Sequence, residues 1–103
     1  MAEPIRIRAR HHGGLTDVTV LMPHSMETGL AKDAAGAFKP AHYITDVQVK
    51  LGARTVLQAR MSMAVSRDPL LSFRFRGGQP GERLQVAWTD NRGESRSDEV
   101  AIT

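Results

Sequence analysis

Two of the four histidines, His24 and His42, bound the stretch of this sequence where reactive side chains are most concentrated. Ser25 and Thr28 lie close to His24, and a nucleophilic hydroxyl needs such a base within reach. Neither hydroxyl lies in a Gly-x-Ser-x-Gly turn, the local sequence that exposes a nucleophilic serine. Because loop hydroxyls usually bond to nearby backbone groups, we expect Ser25 and Thr28 to do the same and not to act as nucleophiles.

The histidines and Glu27 are also potential metal ligands, but their spacing matches no known metal-binding motif. His11 and His12 are adjacent, so on a strand their side chains would point to opposite faces. The sequence contains no cysteine, which excludes a thiolate metal site, a thiol nucleophile and a disulfide within this chain. We therefore predict no metal, no cofactor and no catalytic residue.

Arginines alternate with apolar residues along two segments of the chain. Arg6, Arg8 and Arg10 would share one face of a first strand, and Arg74 and Arg76 one face of a fifth. If the two faces coincide, they form a basic patch on a chain with a formal net charge of +3. Nucleic-acid surfaces usually add aromatic platforms, whereas the aromatic residues here lie in the core phase. The pattern favours a soluble outer face, with a stand-alone polyanion-binding module as the alternative.

The elements that must position these residues are strands, because apolar and polar residues alternate with a period of two through most of the chain. About seven such segments occur, with turns every eight to twelve residues. This pattern predicts an all-β fold, an immunoglobulin-like antiparallel β-sandwich forming a single domain over residues 1–103, with a small barrel as the alternative. The phase slips between Ile44 and Val47, which predicts a bulge near Thr45 and Asp46.

The fourth predicted strand places apolar side chains on one face, and we expect all of them in the core. They are Leu57, Ala59, Met61 and Met63. The fifth and sixth strands should direct Phe73, Phe75, Val86 and Trp88 inward in the same way.

A long connection, residues 24–42, separates the second and third strands. Connections in small domains are typically about 4–6 residues long, and longer ones are usually functional or disordered. Gly36 and the lack of an apolar stripe allow at most one helical turn between Ala31 and Phe38. The connection is either a solvated crossover or a surface used by a partner.

Two features that the sequence lacks bear on where in the cell the protein is expected. The sequence has no apolar run long enough to span a membrane. Its first residues, Met1-Ala2-Glu3-Pro4, lack the basic and apolar regions of a secretory signal. Taken alone, these features predict a cytoplasmic protein.

Six segments, in order and spanning nearly the whole chain, resemble the Z-subunit family of the sulfur-oxidation (Sox) carrier complex. They are Ile5-Arg6-Ile7-Arg8, Met26-Glu27-Thr28-Gly29-Leu30, Lys32-Asp33, Pro40-Ala41-His42-Tyr43-Ile44, Pro69-x-x-Ser72-Phe73-x-Phe75 and Trp88-x-Asp90-Asn91-x-Gly93-Glu94. The family pattern has a proline where this chain has Ser25, and the change loosens the start of the long connection.

The resemblance implies a non-catalytic scaffold subunit of a heterodimer. Its partner, the SoxY-like subunit, carries sulfur intermediates of thiosulfate oxidation on the cysteine of a C-terminal Gly-Gly-Cys-Gly-Gly arm, and other Sox enzymes bind the pair transiently. The lack of cysteine in this chain agrees with that division of roles. Family members work in the periplasm, to which the partner's twin-arginine signal exports the folded pair. The resemblance therefore replaces the cytoplasmic prediction with a periplasmic one.

On this interpretation we expect a docking surface in the long connection and in the segment before the fifth strand. Its residues would be His24, Met26, Glu27, Thr28, Gly29, His42, Tyr43, Arg67, Asp68 and Pro69. The heterodimer interface should be large and apolar, as obligate interfaces usually are. The isolated chain can then self-associate to cover that surface. No binding of nucleic acid or membrane is expected.

Overall fold

The computed structural model describes residues 2–103, which fold into seven antiparallel β-strands in two sheets. The strands are β1 (Arg6–His12), β2 (Leu15–Leu21), β3 (Ile44–Leu51), β4 (Arg54–Arg60), β5 (Leu70–Arg76), β6 (Arg83–Asp90) and β7 (Ser95–Ala101). One sheet has the order β1-β2-β5 and the other β4-β3-β6-β7. The predicted all-β sandwich is confirmed. Within residues 2–103, no helix is long and apolar enough to cross a membrane.

The core fills the space between the sheets, because every second side chain of a strand points inward. Val18 and Val20 of β2, Val47 and Val49 of β3 and Trp88 of β6 all bury almost completely. The full cluster comprises Ile5, Ala9, Val18, Val20, Met22, Met26, Ile44, Val47, Val49, Phe75, Leu84, Val86, Trp88 and Ile102.

One side of the sandwich is closed by backbone hydrogen bonds between the two sheets, and the other side is open. On the closed side, the His11 amide donates to the carbonyl of Thr103, and the Thr103 amide donates to the carbonyl of Ala9. The free edges on the open side are β4 and β5. There the Arg54 guanidinium donates to the carbonyl of Arg76 at 2.9 Å and bridges one end of the opening.

The predicted bulge is present, since the register of β3 against β6 shifts between Ile44 and Asp46. The prediction that Met63 lies in the core is wrong, whereas Met61 packs against the core and is partly buried, as Leu57 and Ala59 are. Pairing with β3 carries β4 only as far as Arg60, which is opposite Asp46 beside the bulge. The Met61 amide still donates to the carbonyl of Thr45 at 2.8 Å, and the chain then leaves the sheet, so that Met63 is 48% exposed.

The long connection folds back on itself and contains no helical turn. Glu27 and His42 exchange backbone hydrogen bonds of 2.6 and 2.9 Å, and Lys32 and Phe38 form a second isolated bridge. At the tip, the Asp33 carboxylate accepts from the amides two and four residues later, at 2.9 and 3.0 Å. These bonds stabilise a tight turn in place of the helical turn that the sequence allowed. The segment is therefore a two-armed projection whose tip, residues 30–40, is entirely exposed.

Candidate functional site

The buried carboxylate of Asp90 is the centre of a hydrogen-bonded cluster at one end of the sandwich. Its side chain is 0% exposed. The Oδ1 atom accepts from the backbone amides of Arg92 and Glu94, both at 2.9 Å. The Oδ2 atom lies 3.2 Å from His24 Nε2 and 2.7 Å from His42 Nε2. Asp90 therefore ties both ends of the long connection to the β6–β7 hairpin.

His24 is fixed from several directions. Its backbone amide donates to Asp68 Oδ1 at 3.0 Å, and the Asp68 amide donates to its carbonyl at 2.9 Å. Its ring packs edge-on against Trp88 and His42, with centroids 5.2 and 4.5 Å away. The Met26 amide donates to the Nδ1 atom of His24 at 3.1 Å, and Met26 itself has a positive φ of 49°. The side chain is thus a buried structural link, with 4% of its surface exposed.

The imidazole tautomer of His24 bears on metal binding. The ligand atoms of His24, His42 and Asp90 lie within 4.8 Å of one another, a spacing compatible with a metal ion. However, the Nδ1 atom of His24 accepts a hydrogen bond, so the ring hydrogen lies on Nε2, which donates to Asp90. Coordination through Nε2 would move that hydrogen to Nδ1, directly against the Met26 amide. The geometry favours a hydrogen-bonded cluster over a metal centre.

Hydrogen bonding determines the ionisation of Asp90. Burial by itself raises the pKa of this carboxyl, because the charged form loses hydration. Hydrogen bonds from His24, His42 and the amides of Arg92 and Glu94 outweigh that effect and lower the pKa below its ordinary value. The carboxylate is therefore charged at neutral pH and holds the His42 ring at a fixed orientation.

An open pocket of about 570 Å³ lies against this cluster. Its lining combines an aromatic floor with a charged rim: Ala2, Glu3, Pro23, His24, Ser25, His42, Arg67, Asp68, Trp88, Arg92 and Glu94. The rim contains both acidic and basic side chains and so presents mixed charge. The indole Nε1 of Trp88 is buried without a hydrogen-bond partner among the described residues. His42, whose side chain is 20% exposed, is the cluster member most accessible from the pocket.

The structure brings together four of the ten residues predicted for the docking surface. His24, His42, Arg67 and Asp68 line the pocket. Two others, Met26 and Pro69, are buried beside it. The remaining four, Glu27, Thr28, Gly29 and Tyr43, lie outside the pocket lining, and Glu27 pairs with Lys39 at 3.7 Å. The Thr28 hydroxyl accepts from the Leu30 amide at 3.0 Å, as expected of a loop hydroxyl.

In the sequence, Asp90 is marked only as part of the segment Trp88-x-Asp90-Asn91-x-Gly93-Glu94, which carries the family resemblance and not a predicted site. The position of Asp90 in the alternation of β6 could have indicated that its side chain is buried. The inward face of this strand is formed by every second residue: Leu84, Val86, Trp88 and Asp90. A carboxylate on a core face needs partners that replace its hydration. Arg92 and Glu94 lie in the same hairpin, and its turn brings both to the pocket rim.

Comparisons with known proteins give a family and a fold. The model of the family described as "Sulphur oxidation protein SoxZ" matches residues 5–101. No curated protein matches the chain. A hypothetical protein from Pyrococcus horikoshii is similar in structure, with a TM-score of 0.67, 18% identity, and coverage of 99% of this chain and 89% of that one.

Superoxide reductases share the same fold. One from Archaeoglobus fulgidus (neelaredoxin) has a TM-score of 0.61 and 19% identity, and covers 97% of this chain and 86% of that one. A second, in the oxidised state, has a TM-score of 0.63 and 16% identity, and covers 96% and 86%. At these identities the likeness concerns the fold alone. The family match, over nearly the whole chain, shows that this protein belongs to the SoxZ family of sulfur-oxidation proteins.

Proposed function

We propose that this chain is the non-catalytic scaffold subunit of a SoxYZ-type heterodimer, whose partner carries sulfur intermediates on a cysteine of its C-terminal arm. Membership of the SoxZ family over residues 5–101 supports this assignment. The composition agrees with it, because a chain without cysteine cannot itself hold sulfur through a thiol. The sulfur-bearing group is then supplied by the partner, and this subunit provides the surface beside which it is processed.

The observation that supports this proposal at the level of individual residues is the pocket beside Asp90, where we place the partner's arm. It is open, and its volume of about 570 Å³ is enough for a short extended segment of another chain. Its rim carries basic side chains that can donate hydrogen bonds and acidic side chains that can accept them, and both suit the polar backbone of a glycine-rich arm. His42 sits at the mouth with its Nε2 atom bonded to Asp90. In this proposal His42 positions the arm and takes no part in bond making.

The partner subunit itself requires a larger and more apolar surface, and we assign it to the open side between β4 and β5. No side chain of β4 is fully buried, although Leu57 and Ala59 pack against the core. Leu71 and Phe73 of β5 are also only partly buried. These side chains form an apolar ledge along two free sheet edges, where a second chain can cover them. Obligate partners bury surfaces of this kind.

The periplasm is the proposed location of the pair, on family grounds. The test is fractionation of cells in which the partner subunit's export signal is intact or mutated. Loss of this chain from the periplasm together with its partner supports the assignment, and an unchanged distribution contradicts it.

The role of the pocket is tested with His42→Ala in the purified heterodimer. We expect the variant pair to form normally, while the rate at which partner enzymes modify the arm falls about tenfold, equivalent to about 1.4 kcal/mol. Arg83→Ala is the control, because Arg83 also pairs with a carboxylate, that of Glu99, but is exposed on β6 and lies outside the pocket lining. A wild-type rate in the His42 variant would remove the pocket from the proposal.

A further inference from the structure

We propose that the outer face of the β1-β2-β5 sheet, here called the basic face, docks acidic surfaces of the proteins that act at the adjoining pocket. The inference rests on the proposed function, because it names the chemistry of the partners that approach this subunit. It concerns a surface separate from both the pocket and the apolar ledge.

Strand register places the arginines of β1 and β5 on one face. Arg10 lies opposite Asp17, which lies opposite Arg74, so the three form one row across the sheet. The rows on either side place Arg8 in line with Ser72, and His12 in line with Arg76. Side chains in one row of an antiparallel sheet point to the same side. The condition left open by the sequence, that the two arginine faces coincide, is therefore met.

Most of this positive charge is left uncompensated by the protein itself. Asp17 pairs with Arg74 and His12, both at 2.5 Å. Among residues 2–103, no carboxylate forms an ion pair with Arg6, Arg8, Arg10 or Arg76. All four are exposed. Of the seven arginines that form no ion pair with a carboxylate among residues 2–103, four thus lie on this one face.

The basic face begins where the pocket ends. Three connections lead directly from one to the other: Glu3 precedes β1 closely, Pro23 and His24 follow β2, and Arg67 and Asp68 precede β5. The row nearest the pocket contains Arg6, Leu21 and Leu70. A protein seated on this face would therefore be in position to reach a group held in the pocket.

The make-up of the face favours an acidic protein over a nucleic acid. Within the described strands the face holds no Phe, Tyr or Trp, since Phe73 and Phe75 belong to the inward phase of β5, so no stacking platform is available to bases. Leu70 is 65% exposed in the same row as Arg6, with Leu21 between them, and arginine mixed with apolar side chains is typical of protein interfaces. A shallow hollow of about 300 Å³ at Arg6, Ile7, Arg8, Thr19 and Leu21 could accept an apolar side chain of the partner.

Such a surface serves transient contacts. Exposed charge pairs contribute little affinity each but accelerate encounter, and salt screens them within about 8–10 Å. A scaffold visited in turn by several enzymes benefits from fast arrival and easy release.

The test measures binding of a fluorescent acidic peptide (alternating Glu and Gly, sixteen residues) to the full chain, alone and in its complex, by anisotropy at low and moderate salt. We expect binding that weakens as salt is added. The variant Arg6→Ser with Arg8→Ser and Arg10→Ser should lower affinity about tenfold. The control, Lys32→Ser with Arg60→Ser and Arg83→Ser, removes the same charge elsewhere and should change affinity less than about twofold. Asp17→Asn should strengthen binding, because it releases Arg74.

Each outcome decides one point. Equal losses in the two triple variants, or no binding by the native chain, would overturn the basic face as a docking site. Tighter binding of an oligothymidylate with the same charge than of the peptide would assign the face to nucleic acid instead. His42→Ala should leave peptide binding unchanged. A result that contradicts the role of the pocket can therefore be distinguished from a result that contradicts docking at the basic face.

Discussion

His42 Nε2 lies 2.7 Å from Asp90 Oδ2, and this bond joins the end of the long connection to the end of β6. Asp90 accepts a second imidazole, that of His24, at the start of the same connection. The two arms of the projection are thus fastened to one buried carboxylate. The carboxylate therefore holds in place the two histidines of the connection that line the pocket.

Asp90→Asn should destabilise the protein strongly. The amide group of Asn would face either two imidazole donors or two backbone amide donors, so buried donors would be left without acceptors. We expect a loss of about 3 kcal/mol in the free energy of unfolding, measured with urea. Asp17→Asn, an exposed carboxylate with two partners of its own, should leave the urea midpoint nearly unchanged. Equal midpoints for the two variants would contradict the central role of Asp90.

The protein should lose stability in acid. The pKa of Asp90 is lowered in the folded protein, and so is that of Asp98, chiefly through its hydrogen bonds with Arg96. The unfolded chain therefore binds more protons than the native one as these groups titrate. Stability present above the unfolded pKa, about 3.9, is lost as pH falls through the lower native values.

Urea titrations between roughly pH 6 and pH 2 check this dependence. The fall should be shallower in Asp90→Asn, because one of the contributing carboxyls is gone. An identical pH profile in the variant would show that Asp90 does not contribute to acid sensitivity.

Gly78→Ala should destabilise more than the same change at Gly81. Both glycines have a positive φ, +77° and +93°, so alanine is strained at either position. A Cβ at Gly78 would also meet Thr16 Oγ1 at a separation that cannot persist and Ile102 Cδ1 at 3.0 Å, whereas nothing lies within 4 Å at Gly81. We expect about 3 kcal/mol at Gly78 and about 1 kcal/mol at Gly81. Equal losses would mean that the packing around Thr16 is looser than described.

Leu57→Asp should weaken the heterodimer. Leu57 lies on the apolar ledge of β4, and burying a carboxylate there against the partner is costly. We expect at least a tenfold loss of affinity in titrations of one subunit with the other, with circular dichroism showing that the variant folds. Gln58→Asp adds the same charge on the exposed neighbour and should bind normally. Equal weakening by both changes would place the interface elsewhere.

The fold was predictable from sequence where local patterning determines structure. Alternation in Leu84, Val86 and Trp88 marks the inward face of β6, and the phase slip after Ile44 marks the bulge. The end of β4 was not predictable, because the pairing with β3 stops it at Arg60. The sequence pattern of Met61 and Met63 contains no information on that partner.

The candidate site was predictable only in part, for a similar reason. His24 and His42 stand out in the sequence, but their common partner is 66 and 48 positions away. Asp68 is 44 positions from His24, and nothing in the sequence indicates the hydrogen bond between them. Contacts between residues far apart in the sequence can place a carboxylate from the inward face of a strand in a site, as they do for Asp90.

The most direct test of the central claim is native mass spectrometry of this protein purified from its own cells without reducing agent. The account predicts a one-to-one complex with a cysteine-bearing partner, with added mass consistent with a bound sulfur species on that partner. A bare chain or a homo-oligomer, with no such partner recovered, would contradict the scaffold role.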